Sequence, residues 1–380
     1  MKSSPLVHWL FRCMAGLLAA FCAAAGAAAP LPDAAADASA SAIPSLSARA
    51  GRARPVVAVV GLNAGTEVSD FVVPYGILAH AGVADVFALA TGPGPIAMRP
   101  ALTVEPHATI AQFDQRFADG ADVVIVPAVA EDHTADPALL DWLRAQAAKG
   151  ATVVSICDGA LVVARAGLFK GRRATGHWAT QRQREREHPD TRWLTNVRYV
   201  ADGPVVSSAG VSAAIPVSLA LVEALGGRSR ALQVARELGA DGWSAGHDST
   251  PFRLGLRHAL TYAGNAWFSR RDEITLPLVD GGDEIALALA ADAWSRTYRS
   301  RALTVAASSA PVRMRHGLHV LPDRVGTALP MVPAAAPLRV LDRALDDIAQ
   351  RYGRATADFV GLQLEYPWPA PGPGASAADQ

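Results

Sequence analysis

The chain has 380 residues, of which 51% are hydrophobic and 18% charged, and its 35 basic and 35 acidic side chains cancel. This composition excludes a wholly disordered chain, and the length is enough for two or three domains with a sizeable core. Zero net charge argues against a general nucleic-acid binder, whose affinity depends on neutralising phosphates.

Residues 1–29 have the order of a secretory signal peptide. Lys2 and Arg12 precede an apolar run, which small residues follow, so we expect cleavage between about Ala25 and Pro32. An uncleaved membrane anchor is the alternative, but the run is shorter than the roughly 20 residues that a span needs. The leader predicts a periplasmic or secreted protein without stable membrane insertion after cleavage.

The three cysteines are too few for a disulfide scaffold, and their positions matter more than their number. Cys13 and Cys22 lie in the leader, so the mature protein would keep only Cys157. The Ala-, Ser- and Asp-rich residues 30–54, which follow the leader, predict a disordered linker. Cys157 could then form no internal disulfide, and its surroundings must distinguish a buried apolar side chain from a reactive thiol.

Residues 55–227 alternate short β-branched runs with helical patterns, which predicts a parallel α/β sheet. The predicted strands are 56–60, 86–90, 122–126, 152–156 and 205–208. The predicted helices are 69–81, 137–149, 159–166 and 212–225. Asp136 is the expected cap of the second of these helices, and Gly150 is its expected end.

The chain after residue 227 predicts a helical connector, 228–272, and then a repeat. Residues 96–106 resemble residues 312–322 at a constant offset of 216, and residues 65–68 resemble residues 282–285 with a slip of one residue. We interpret residues 273–365 as a degenerate, partial second copy of the first domain. The copy has no cysteine, so any duplicated site in it is empty. The Pro-, Gly- and Ala-rich residues 366–380 predict a disordered tail.

The most informative stretch joins a predicted strand to a predicted helix at Cys157, Asp158 and Gly159. This is the layout of a nucleophile elbow, in which a sharp turn exposes a side chain and the helix start directs N–H groups at it. Those groups and the helix dipole would lower the pKa of the thiol and could stabilise an oxyanion. Gly159 would let the turn form without a Cβ clash. The pattern predicts a functional thiol.

Three other side chains are candidates for the same site. His177 could deprotonate the thiol or pair with the thiolate, although a structural histidine is equally compatible with the sequence. Glu67 and Asp70 follow the first strand, and the carboxyl ends of parallel strands meet at one crevice, where Asp70 could reach Cys157. On local sequence alone, a helix-start position favoured by the dipole explains either acid better.

Together these stretches resemble the DJ-1/PfpI family, within the class I glutamine-amidotransferase-like superfamily. The resemblance covers residues 55–227, and over 155–178 it is similar to the branch often fused to AraC-type transcription regulators. It implies a flavodoxin-like parallel-sheet sandwich with Cys157 as nucleophile and Asp70 as the acid that contacts it. That acid is Glu in some members and Asp in isonitrile hydratases, and many members place a histidine near the position of His177.

Three departures limit what the resemblance implies. Protease-like members often have His after the cysteine, where this chain has Asp158. A Gly-Gly pair often helps form an anion pocket, where this chain has Ala128 and Val129. With Glu67 and Gly159, these three residues stay as candidates for oxyanion or substrate binding. No helix-turn-helix is recognisable after the first domain.

The sequence therefore predicts a cysteine-dependent hydrolase or hydratase, of the isonitrile-hydratase or glyoxalase/deglycase type, acting on a small electrophilic molecule. The alternative is a non-catalytic ligand-binding or redox-sensing protein with an oxidisable cysteine. We predict no cofactor, no metal and no nucleic-acid partner, and we interpret residues 182–188 as a solvated helix face. A homodimer and a pseudo-dimer formed within one chain both remain open.

Overall fold

The computed structural model describes residues 42–240, 242–327 and 336–368, all within one compact unit, Ala38–Gln380. The predicted signal peptide, Cys13 and Cys22, residues 30–41 of the predicted linker, and the tail beyond residue 368 lie outside the described residues. Within the described residues, no helix has the length and apolar character needed to cross a membrane.

The first domain is built on strands and helices that alternate along the chain. Its strands are β1 (Val56–Gly61), β2 (Ala64–Glu67), β3 (Asp85–Ala90), β4 (Ile96–Arg99), β5 (Thr103–Glu105), β6 (Ala108–Thr109), β7 (Val123–Val126), β8 (Thr152–Ser155), β9 (Arg173–Ala174), β10 (Arg192–Trp193), β11 (Tyr199–Asp202) and β12 (Val205–Ser208). Its helices are α1 (Val68–Ala81), α2 (Ile110–Arg116), α3 (Pro137–Ala148), α4 (Gly159–Arg165), α5 (Gln181–Glu187), α6 (Ala214–Gly226) and α7 (Arg228–Leu238).

A seven-stranded sheet in the order β11-β12-β8-β7-β1-β3-β6 forms the centre of this domain. Its neighbouring strands are parallel except for β11 and β12. β1 and β7 are buried along their whole length, as expected for strands of a parallel sheet that is covered on both faces. The predicted α/β fold class is confirmed, and each predicted strand and helix is present within two residues of its expected bounds. Asp136 caps α3 by accepting a hydrogen bond from the Leu139 N–H at 2.9 Å.

The described end of the predicted linker differs from the disorder expected for it. Arg49 and Arg52 both form ion pairs with Asp122, at 3.3 and 2.9 Å, and Asp122 also accepts the Val56 N–H at 2.7 Å. Asp122 is buried, and a buried carboxylate needs such partners. The composition of the segment gave no indication of this anchor.

The second module, residues 272–364, follows a connector that contains α8 (Leu256–Trp267). Its strands are β13 (Asp272–Pro277), β14 (Ser300–Ala306), β15 (Val312–Arg313), β16 (His319–Leu321) and β17 (Arg324–Val325). Its helices are α9 (Glu284–Ser295), α10 (Val340–Tyr352) and α11 (Arg354–Leu364). β13, β14 and β17 form a parallel sheet of their own, so α9 connects two parallel strands as α1 does in the first domain.

The second module repeats the pairing register of the first domain. Leu89 on β3 pairs with Ala108 on β6, and Val305 on β14 pairs with Arg324 on β17, so both partners lie 216 positions further along the chain. β15 and β16 likewise begin 216 positions after β4 and β5. The offset recognised in the sequence is therefore also an offset of three-dimensional structure.

The repeat also includes the last two helices of each half. α6 and α10 both have 13 residues, α7 and α11 both have 11, and one glycine joins each pair. Gly227 and Gly353 have almost the same backbone angles, φ 84° and 88° with ψ 162° and 154°. Between β17 and α10 the chain has no room for counterparts of β7, β8 and the elbow. The second module therefore repeats the β1-β3-β6 side of the central sheet and the last two helices, without counterparts of β7, β8 and the elbow.

The two halves meet around an approximate two-fold axis. β5 and β16 are antiparallel, with Val104 opposite Val320, its own counterpart. α1 and α9 also run antiparallel, since Ser69 contacts Asp292 near one end and a Cβ on Gly76 would meet Ile285 at 2.5 Å further along. Gly76 thus permits the close approach of the helices, which places the end of α9 beside the start of α1.

Candidate active site

Cys157 stands at the turn between β8 and α4, as the elbow pattern predicts. Its φ is +56°, a left-handed value that a non-glycine residue adopts at a cost and that often marks functional sites. A Cβ on Gly159 would lie 2.1 Å from the carbonyl oxygen of Val126, so only glycine fits at this point. The predicted need for glycine at the elbow is confirmed.

The thiol of Cys157 is less accessible than the elbow pattern indicates, because the residue is only 6% exposed. Burial raises its pKa well above the ordinary value, and the nearby carboxylates of Asp70, Asp158 and Glu67 raise it further. The N–H of Asp158 acts in the opposite direction but has the smaller effect. The expectation that the helix start lowers the pKa of this thiol is wrong, because desolvation and neighbouring negative charge outweigh it.

Asp70 lies in the first turn of α1 and is completely buried. Its Oδ2 accepts the N–H of Ala128 at 3.2 Å, whereas its Oδ1 has no hydrogen-bond partner among the described residues. Burial raises the pKa of Asp70 to about 8, so the group is mostly a neutral acid at pH 7. The structure therefore places a protonated carboxyl close enough to Cys157 for their charges to interact, although no direct hydrogen bond joins the two.

Glu67 ends β2 and precedes α1, and it takes part in a partly buried ionic cluster. Arg296, the residue after α9, contacts Glu67 through Nη2 and Asp292 through Nε, the latter at 2.6 Å. Asp292 in turn accepts the hydroxyl of Ser69 at 2.7 Å. Burial raises the pKa of Glu67, and Arg296 opposes that effect. Glu67 of the first domain and Asp292 of the second module therefore share one guanidinium, which the second module supplies.

His177 is buried beside the elbow. One ligand atom each of Cys157, Asp158 and His177 lie within 4.8 Å of one another, so the structure brings the predicted histidine to the thiol. Its Nε2 is 3.2 Å from the carbonyl oxygen of Gln363, and its Nδ1 accepts the Ala179 N–H at 3.4 Å. These two contacts hold the ring with Nδ1 as acceptor and Nε2 as donor.

Asp158 is held by side chains from the segment after His177. Thr180 donates its hydroxyl to Asp158, and Arg184 contacts Thr180 and lies 3.6 Å from Asp158. Arg184 also donates to the carbonyl oxygen of His177 at 2.7 Å and stacks over Trp193. Arg184 is therefore buried, which corrects the interpretation of residues 182–188 as a wholly solvated face. The mixed charge pattern conceals one inward-pointing arginine.

The other predicted binding residues have backbone functions at the end of β7. Ala128 donates its N–H to Asp70 and accepts the Glu67 N–H at 2.9 Å. Val129 forms an isolated antiparallel bridge with Thr66. The N–H of Ala128 is thus engaged by the acid, and an anion could use it only in place of that carboxylate. Ala128 therefore holds Asp70 in place, at the position where members of the similar family often have a Gly-Gly pair that helps form an anion pocket.

The end of α11 covers one side of the site through Glu365. This buried carboxylate accepts the N–H of Gly210 at 2.7 Å and lies 2.8 Å from His247 Nε2, and its carbonyl oxygen accepts the hydroxyl of Ser212 at 2.6 Å. His247 and Gly210 lower the pKa of Glu365 against the effect of burial. Sequence reasoning missed both Glu365 and Arg296, because nothing near either residue in the chain indicates a partner over 100 positions away.

Cys157, Asp158 and His177 are also the described group best placed to hold a metal ion. A thiolate, an imidazole and a carboxylate are the ligand types that zinc accepts. Here Nδ1 of His177 and one oxygen of Asp158 are already in hydrogen bonds. In the structure these two groups therefore bond to neighbouring protein groups, and binding of an ion would require these hydrogen bonds to open.

Comparison with known proteins shows a match to the DJ-1/PfpI family model over residues 56–224. The HTH-type transcriptional regulator CdhR of Pseudomonas aeruginosa is 38% identical over 101 residues, which are 27% of this chain and 30% of that protein. The isonitrile hydratase of Pseudomonas putida is 31% identical over 175 residues, 44% of this chain and 72% of that protein. The chain thus spans less than a third of the regulator and most of the hydratase.

Solved structures of similar proteins match about half of this chain. Drosophila melanogaster DJ-1beta matches 49% of this chain and 98% of its own, with 22% identity and a TM-score of 0.45. A THiJ/PfpI family protein from Pseudomonas syringae matches 54% of this chain and 80% of its own, with 23% identity and a TM-score of 0.44.

Proposed function

The chain belongs to the DJ-1/PfpI family, and from that premise we propose that it is a cysteine-dependent enzyme that adds water to a small electrophilic carbon, as in the hydration of an isonitrile. The observation that carries the proposal is the buried acid beside the elbow cysteine. Asp70 has a pKa raised to about 8 and a carboxyl oxygen without a hydrogen-bond partner among the described residues. Such an acid can hold a proton at neutral pH and transfer it to a reacting group.

The first step uses Cys157 and Asp70 together. The pair reacts as a thiolate beside a neutral carboxyl, so the thiol, whose pKa is raised, must first lose its proton while Asp70 keeps its own. The sulfur adds to the terminal carbon of the isonitrile, and Asp70 gives its proton to that carbon. A thioimidate on Cys157 and an ionised Asp70 result, and no other reactant is needed.

Water completes the reaction. Its oxygen adds to the thioimidate carbon and one of its protons goes to the nitrogen, which gives a tetrahedral adduct. The carbon–sulfur bond then breaks as the hydroxyl proton passes to Asp70. The products are a formamide, the thiolate of Cys157 and a neutral Asp70, so the site returns to its starting state. A carbonyl substrate would use the same two residues.

The dimensions of the site favour a small substrate. Cys157 is 6% exposed, and Glu365 and the end of α11 cover the side next to His177. A slender molecule such as an isonitrile has its reactive carbon at its tip and can reach a recessed sulfur. This recess and the raised thiol pKa do not favour the redox-sensing alternative, because sensor cysteines combine exposure with a low pKa.

We also propose that the enzyme acts outside the cytoplasm. The proposal is supported by the basic, apolar and small-residue order of residues 1–29. A lone thiol at a raised pKa resists oxidation and disulfide exchange better than a thiolate does, which is compatible with an oxidising compartment.

The test is a screen of alkyl and aryl isonitriles and dicarbonyl compounds against the purified protein, with formamide or hydroxy-acid products measured. We expect turnover of at least one class, its loss in Cys157→Ser, and a rate lowered by about two orders of magnitude in Asp70→Asn, as is usual for loss of a general acid. Turnover that Cys157→Ser leaves unchanged would defeat the nucleophile assignment.

A further inference from the structure

The second module reaches the candidate site at the start of α1. Two of its residues contact first-domain side chains just before Asp70 in the chain: Asp292 accepts the hydroxyl of Ser69, and Arg296 forms an ion pair with Glu67. Asp292 and Arg296 are also bonded to each other, at 2.6 Å. The backbone turn that carries Asp70 is thereby fixed from outside the first domain.

We propose that Arg296, which the second module supplies, is a positioning residue of the cysteine site. The inference rests on the proposed function only in calling the site catalytic. Its geometric basis is the contact of one guanidinium with two carboxylates, the half-buried Glu67 and the buried Asp292, one from each half of the chain.

The charges around the thiol explain why a cation is needed there. Glu67, Asp70, Asp158 and Asp292 are acidic, and in the described part of the chain Arg296 is the cation that touches Glu67 and Asp292. Arg184 serves the opposite side, next to Asp158. Arg296 lowers the pKa of both Glu67 and Asp70, while the Cys157 thiolate and Arg296 attract each other. Loss of its charge would therefore make the thiolate harder to form.

The approximate two-fold axis provides an internal comparison. Glu284, at the start of α9, is the counterpart of Glu67, and the end of α1 contacts it through two histidines. His80 Nδ1 is 3.1 Å from His316 Nε2, and His316 Nδ1 is 3.0 Å from Glu284. At the end of the helix pair far from Cys157, Glu284 is therefore approached by imidazoles. At the end near Cys157, Glu67 is paired with the Arg296 guanidinium, which is charged at every physiological pH. This difference is expected if the cation at that end acts on the thiol.

The experiment follows alkylation of Cys157 by iodoacetamide as a function of pH, with the modified peptide measured by mass. In Arg296→Gln we expect the midpoint to rise by about one pH unit, which is about a tenfold lower rate below the midpoint. Glu67→Gln removes a negative charge beside the sulfur and should lower the midpoint. Arg296→Lys keeps the charge and should restore most of the wild-type value. Arg324→Gln breaks an exposed ion pair of the same module and should change nothing.

A purely structural arginine would lower the melting temperature without moving the midpoint, so a folded Arg296→Gln with the wild-type midpoint overturns the proposal. If that variant does not fold, Glu67→Gln is compared with Glu67→Gln/Arg296→Gln, in which both members of the pair are removed. The proposal then requires a higher midpoint in the double variant, and equal midpoints overturn it. Alkylation needs no substrate, so the result stands even if no isonitrile is turned over.

Discussion

The backbone N–H of Ala128 donates to Oδ2 of Asp70 at 3.2 Å, and it is the hydrogen bond that fixes this buried carboxyl in the described structure. One donor is too little to stabilise a carboxylate away from water, since such a group needs several. Asp70 therefore keeps its proton at neutral pH, because the fold gives it too few hydrogen-bond donors to stabilise the ionised form.

Asp70→Asn should change how stability depends on pH. The pKa of Asp70 is about 8 in the folded chain and 3.8 in the ordinary state, so between these values the folded state binds a proton that the unfolded state releases. The free energy of unfolding of the wild type therefore falls as pH rises through this window, by up to about 1.4 kcal/mol per pH unit from this group. In melting curves at pH 5 and pH 9, the melting temperature of Asp70→Asn relative to that of the wild type should therefore be higher at pH 9 than at pH 5. A constant difference would contradict the raised pKa.

Cys157 should react slowly at neutral pH. Its pKa is raised by burial and by neighbouring carboxylates, so the alkylation midpoint should lie above the ordinary value of about 8.5 for a free thiol. Asp70→Asn should lower that midpoint, because a source of negative charge is removed. Iodoacetamide labelling across pH 6 to 10 measures both, and a wild-type midpoint near 7 would refute the electrostatic description of the site.

Gly159→Ala should destabilise the protein strongly. The added Cβ would lie 2.1 Å from the Val126 carbonyl oxygen, which is backbone and cannot move aside cheaply. We expect a loss of about 3 kcal/mol, at the top of the usual range for overpacking. Gly264→Ala in α8 is the matched control, because its Cβ would meet nothing within 4 Å. Helix propensity predicts a gain of up to about 1 kcal/mol there, and chemical denaturation compares the two.

Arg184→Met should be much more harmful than Arg182→Met, although both residues lie on α5. Arg184 is buried and holds Thr180 and the carbonyl oxygen of His177, whereas Arg182 is exposed. We expect a cost of about 3 kcal/mol for the first change and less than about 0.5 kcal/mol for the second. Equal melting temperatures for the two variants would show that Arg184 does not organise the elbow.

The leader should be removed on export. Expression of the full chain in a Gram-negative host should give a periplasmic form whose first residue lies between about positions 26 and 33, as cleavage before or after the small-residue stretch requires. N-terminal sequencing of that fraction measures it. Retention of Lys2 in all of the protein would contradict a cleaved signal peptide.

The sequence indicated the central sheet well because its strands are near-continuous apolar runs between clear turn residues. β2, β4 and β9 were not predicted as strands, since two to four residues carry no usable periodicity. The elbow was recognisable because Cys157 and Gly159 are adjacent in the chain. Its chemistry was not, because the pKa of the thiol depends on burial and on Glu67 and Asp70, which come from a distant segment of the chain.

The repeat offset predicted the second module but not its contact with the cysteine site. Arg296 resembles any arginine at the end of a helix, and its contact with Glu67 depends on the antiparallel packing of α1 and α9. Local patterns contain no information on such a pairing. Arg184 is a similar case. It is the buried arginine of a charged run, and the composition of the run does not indicate which of its residues points inward.

Val104 and Val320 face each other where β5 pairs with β16, and both belong to the same chain. Two separate subunits part on dilution, because their assembly follows mass action. A covalent tether replaces that dependence with an effective concentration on the order of millimolar for a short flexible connection. The contact between Arg296 and Glu67 is therefore maintained at any protein concentration, including the very low ones that a protein meets after release into a large volume.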